Sequence, residues 1–163
     1  MVWSHMWRRL RGEIARYRSS IPRLRGLRLR DWLDMLRAQA ALLQAQREMR
    51  SLRTGEMVRE EPVTVPARNT DRMDDARRVA LAVNRAATYG VFRPKCLVKS
   101  RALRKLLDER GIAGAQVRVG VQLTEGRFRA HAWVEYGGVV VGDDPAEVAR
   151  FVPMPGINVA ELE

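Results

Sequence analysis

The sequence predicts an α+β protein in which helices come first and an antiparallel sheet follows. Two observations carry that expectation. Up to about residue 110 the apolar residues recur at helical spacing, and from residue 115 the period changes to two. The dipeptide Gly137-Gly138 then separates two strand-like runs, the signature of a tight hairpin between antiparallel neighbours.

Length and composition bound the protein further. With 163 residues the chain suits one domain plus an arm, and it is long enough for a real core. A single cysteine excludes a disulfide framework and a multi-cysteine zinc site. The start lacks the apolar stretch of a secretory signal, and no run of about 20 apolar residues could span a bilayer. A soluble, cytoplasmic protein is expected. The net charge of +11 is uneven: residues 1–60 hold 14 basic and 6 acidic side chains, residues 61–163 hold 16 and 13. A basic arm attracts nucleic acid, anionic membrane or an acidic protein. Here the basic residues, 27 Arg against 3 Lys, are interleaved with acids and apolar groups, so nucleic acid is not the partner expected. The expected division is a basic helical arm over 1–60 and the main domain over 61–163.

In chain order, Trp7, Leu10, Ile14 and Tyr17 make one stripe of a short amphipathic helix, broken at Pro22 and Gly26. A second helix is expected from about Asp31 to Arg53. Its apolar positions (Trp32, Met35, Leu36, Leu42, Leu43, Ala45, Met49) are only loosely periodic, and Gln39, Gln44, Gln46 and Glu48 are assigned to a wet face. Such a helix needs packing on the body or on another protein. Glu60 to Pro66, with two prolines, reads as an extended connector. A third helix starts at Asn69 or Thr70, either a capping residue, and stops at Tyr89-Gly90, with Met73, Ala76, Ala80, Val83 and Ala87 on one stripe. Pro94 precedes a fourth helix from Cys96 to about Arg110, ended by Gly111, with Leu103, Leu106 and Leu107 inward. Three strands follow: 115–123, 128–136 and 139–141. The tail reads as a turn of helix and a Pro/Gly-broken end.

Two residues carry the chemistry. Cys96 opens a helix, and His131 lies on the strand face shared by Arg129, Trp133 and Glu135. Thiolate, not thiol, is the nucleophile, and a helix N-terminus and a nearby imidazolium both favour it. Taken singly, a lone cysteine is more often a buried small hydrophobe and a lone strand histidine more often a satisfied residue. No metal-ligand spacing is present. The third member depends on hairpin register. A two-residue Gly137-Gly138 loop pairs His131 with Asp144; a three-residue loop with Gly138 as a bulge pairs His131 with Asp143. Geometry leaves both open.

The runs Cys96-Leu97-Val98-Lys99-Ser100-Arg101-Ala102-Leu103, Leu106-Leu107-Asp108-Glu109-Arg110-Gly111-Ile112, Gly120-Val121 and Ala130-His131-Ala132-Trp133-Val134-Glu135 resemble the transglutaminase-like cysteine peptidases that mature lasso peptides. The resemblance covers roughly residues 75–152, while the arm before residue 60, rich in Gln and Arg, fits only loosely. It implies a papain-like core in which the nucleophile helix packs on an antiparallel sheet. It also implies Cys96 as nucleophile, His131 as base and acid, and Asp143, twelve residues after His131, as the orienting acid, which favours the bulged hairpin. It implies no cofactor and no metal. The implied partners are a lasso precursor peptide, a separate leader-recognition protein, since no recognition module precedes the peptidase, and an ATP-dependent lasso cyclase. Another amide hydrolase or acyltransferase on this fold, and a basic peptide- or nucleic-acid-binding adaptor, are the alternatives.

Overall fold

The computed structural model describes residues 28–51, 59–60, 71–124, 126–154 and 157–158. The chain divides into two compact units, Met1–Leu33 and Asp34–Glu163. The expected helix around Trp7 to Tyr17 lies outside the described residues, as do Asn69 and Thr70.

Four helices are described: α1 (Leu29–Ser51), α2 (Met73–Tyr89), α3 (Cys96–Glu109) and the single-turn α4 (Pro145–Val148). The strands are β1 (Arg59–Glu60), β2 (Gln116–Thr124), β3 (Arg127–Tyr136), β4 (Val139–Val141), β5 (Val152–Pro153) and β6 (Ile157–Asn158). The main sheet is antiparallel with order β4-β3-β2-β5, and β1 and β6 form a two-stranded pair. The α+β expectation holds. No helix among the described residues is long and apolar enough to cross a membrane.

In α1 the residues that reach the core are Ala38, Ala41, Leu42 and Ala45, with Asp34 buried at the same side and Met35 and Met49 partly covered. Leu36 and Leu43, expected on the inner stripe, are exposed. Gln39 departs the other way: its amide is buried over Gly90 with no hydrogen-bond partner among the described residues. The Asp34 carboxylate is matched by the Arg110 guanidinium, which joins α1 to the end of α3.

The α2 stripe is close to expectation, with Ala76, Val79, Ala80, Ala82, Val83 and Ala86 buried. Its start is later than expected. Arg72 is the N-cap and makes no side-chain cap; its guanidinium instead bonds the Asp75 carboxylate and the Arg110 carbonyl. In α3, Val98, Ser100, Ala102, Leu103, Leu106 and Leu107 are buried. It ends in a paired 6→1 and 5→2 closure, Ile112 N–H to Leu107 O and Gly111 N–H to Asp108 O, with Gly111 at φ 67°.

β2 leaves that closure after a short loop and therefore runs back along α3. Val117, Val134, Tyr136 and Val141 give one sheet face to the core shared with α1, α2 and α3. The tail, read as irregular, also adds β5 to the free edge of β2, through Val121↔Val152 and Gly120↔Pro153.

Candidate active site

Cys96 is the first residue of α3. The helix starts there because Pro94 fixes the approach and Lys95, extended at φ −70° and ψ 160°, accepts the first helical bond from Lys99 N–H at 3.0 Å. The opening N–H groups, that of Cys96 included, have no partner within the helix. The thiol is free and half-buried. One turn on, the buried Ser100 hydroxyl donates to the Ala132 carbonyl at 3.0 Å. That bond fastens α3 to β3 at the residue after His131.

His131 is held on both sides. Its ring stacks on Trp133 at 6.2 Å and meets Phe151 at 5.2 Å. Trp133 is itself fixed: its Nε1–H donates to Glu135 at 2.9 Å, and Arg118 donates to the other Glu135 oxygen at 3.2 Å. Trp133 lies over Gly120, the residue opposite His131. A Cβ at Gly120 would come within 2.8 Å of the indole, so a larger residue there would displace the ring that orients the imidazole.

The acid that faces His131 is Asp143, with Oδ1 3.8 Å from Nε2. This separation is longer than a hydrogen bond. Asp144 is engaged elsewhere, capping α4 by accepting from Ala146 N–H at 2.9 Å.

The bulged hairpin is not found. Tyr136 pairs with Val139, and Gly137 and Gly138 form a two-residue turn at φ 58° and 78°. That register, prolonged, would have put Asp144 opposite His131. It is not prolonged: pairing stops at Val141, and Gly142 at φ 85° turns the chain away. A Cβ on Gly142 would lie 2.8 Å from Leu103 and 3.3 Å from Ala80, so only glycine lets the backbone pass this close to α2 and α3. Beyond that bend Asp143 comes round to the imidazole. Asn84 Nδ2 donates to the Gly142 carbonyl at 2.9 Å, and Lys99 Nζ reaches Asp143 Oδ1 at 2.8 Å.

His131 and Asp143 are thus brought together. Cys96 is linked to them through Lys99 and Ser100 of its own helix, not by a hydrogen bond of its thiol among the described residues. Among those residues no group of His, Cys, Asp and Glu could hold a metal ion.

The pattern of the Transglutaminase-like superfamily matches residues 36–155. The chain belongs to that superfamily. The Microcin J25-processing protein McjB of Escherichia coli is 40% identical over 55 residues, covering 34% of this chain and 25% of that protein. The match therefore spans about a quarter of the relative's length. No solved structure matches significantly.

Three features around these residues carried little or no signal in the sequence. Lys99 stands three residues after Cys96, and that spacing was the available signal that both lie on one side of α3. Phe151 gave none, since it comes from the tail. The third is an apolar surface. Val121, Leu123, Phe128, Ala130, Val152 and Met154 share the sheet face that α3 covers further back, and the last five are exposed. Ser100 sits at Ala132, and a helical turn of about 5.4 Å equals roughly two strand residues, so Cys96 is level with about Ala130 and Val121.

Proposed function

We propose that the chain is a cysteine peptidase that removes the leader from a lasso-peptide precursor. The observation that carries this reading is the Asp143–His131 pair, linked by Lys99 and Ser100 to the helix that Cys96 opens. It is supported by superfamily membership and by the partial likeness to a protein that processes microcin J25, itself a lasso peptide.

The Cys96 thiolate attacks the carbonyl carbon at the leader–core junction. The Cys96 N–H, unpaired at the helix start, is the first donor to the oxyanion. As the C–N bond breaks, His131 gives its proton to the departing amine, which becomes the free N-terminus of the core peptide. The leader is left as a thioester on Sγ. His131 then takes a proton from water, the hydroxide equivalent attacks the thioester, and the leader carboxylate departs as the thiol is restored. Asp143 holds the imidazole in the tautomer that both steps need.

In this reading a separate recognition protein delivers the leader, and an ATP-dependent cyclase consumes the new amine, with all three in the cytoplasm. The test is mass spectrometry of a candidate precursor incubated with this protein and the recognition partner. Free leader and a core peptide with an unmodified N-terminus are expected, and Cys96→Ala and His131→Ala each abolish them. An amide-linked adduct in place of free leader would establish acyl transfer instead.

A further inference from the structure

The pairing that aligns strands ends one residue before the bend that carries Asp143, so the sheet does not hold this acid in place. Two side chains hold the bend instead. Asn84 donates to the Gly142 carbonyl at 2.9 Å. Lys99 spans Gly142 O at 3.3 Å and Asp143 Oδ1 at 2.8 Å. The oxygen that Lys99 grips is the same one that lies 3.8 Å from His131 Nε2. An ammonium with three donors can serve both acceptors at once. The lysine and aspartate side chains are 18% and 16% exposed, so this pair is screened less than a surface pair. Lys99 also stands three residues after Cys96, on the same side of α3.

We propose that Lys99 is a positioning residue: it sets the Asp143 carboxylate against His131 and references it to the helix that presents the thiol. This assignment rests on the peptidase reading above. It makes the placement of the acid independent of the hairpin register, because the reference point is the nucleophile's own helix. A lysine that only pinned the loop would affect stability and leave the chemical step alone.

The test combines steady-state cleavage of a candidate precursor, in the presence of the recognition protein, with alkylation of Cys96 by iodoacetamide. The single cysteine makes the mass shift unambiguous. The variants are Lys99→Met, Lys99→Arg, Asp143→Ala and the Lys99→Met/Asp143→Ala double. Lys99→Met is expected to lower kcat by about tenfold or more with KM changed less than about twofold. Lys99→Arg, which still reaches the carboxylate, recovers kcat to within about threefold of wild type. In the Asp143→Ala background, adding Lys99→Met costs less than about twofold, because the interaction is already gone. Alkylation rates follow the same order. If Lys99→Met does not fold, Lys99→Gln takes its place in the same cycle. Three results overturn the proposal: wild-type kcat in the uncharged variant, an arginine variant as poor as the uncharged one, or the same loss with and without Asp143. The two failures are distinguishable. An active Cys96→Ala overturns the peptidase reading, whereas an inactive Cys96→Ala beside a fully active Lys99→Met overturns the Lys99 assignment alone.

Discussion

Asp143 and Asp144 are adjacent acids with different partners, and their variants separate accordingly. Asp143 faces His131 and Lys99, so Asp143→Ala is expected to cut precursor cleavage by about a hundredfold or more while the fold survives. Asp144 caps α4, so Asp144→Ala costs about 0.5–1 kcal/mol of stability, seen as a small drop in Tm, with cleavage nearly unchanged. The reverse order of activity loss would show that the acid has been misassigned. The places of Cys96 at a helix start and His131 on a strand were legible in the sequence because capping and strand alternation are local signals. That Asp143 and not Asp144 faces His131 was expected only by resemblance. Strand register discriminates two neighbours only as far as the pairing runs, and here it stops at Val141. The stacking of Trp133 on His131 was half legible: alternation places the two on one face, but not the Glu135 and Arg118 bonds that fix the indole.

The element that decides the site is the bend after β4. Its position follows from a glycine that has both a positive φ and no room for a methyl group. Gly142→Ala is expected to destabilise the protein by about 1–3 kcal/mol, from backbone strain and the clash with Leu103, and to lower cleavage as Asp143 shifts. Thermal unfolding together with cleavage rates checks this; an alanine variant with wild-type Tm and rate would contradict it. The helices and strands were mostly legible, since α3 and the β2–β3 ribbon carry clean periods. Less of α1 was, because its inner face is built largely from alanine and one buried acid, whereas its leucines at 36 and 43 face outward. The closer partner of Asp34 is Arg110, 76 residues away, and no local pattern announces it.

For the molecule as a whole, the packing of α1 bears on where the folding unit begins. Ala38, Ala41, Leu42 and Ala45 lie in the same core as Val83, Leu107 and Val134, so residues from Asp34 onward form one compact unit. The sequence places the boundary at residue 60 instead, since the arm is where the basic charge collects. Truncation separates the two. A chain starting at residue 34 is expected to unfold cooperatively, whereas one starting at residue 61 loses four core side chains and the Arg110 partner and does not fold alone. Cooperative unfolding of the shorter chain, followed by circular dichroism, would place the boundary at 60.

In the proposed reaction Cys96 carries the leader as a thioester. Its most direct test is the intact mass of the protein after incubation with precursor and recognition partner and a rapid acid quench. The expected spectrum shows a fraction of the chain heavier by the leader less one water, with the addition mapped to Cys96 and absent from Cys96→Ala. Leader release that persists in Cys96→Ala, with no adduct on the wild-type chain, would contradict the account.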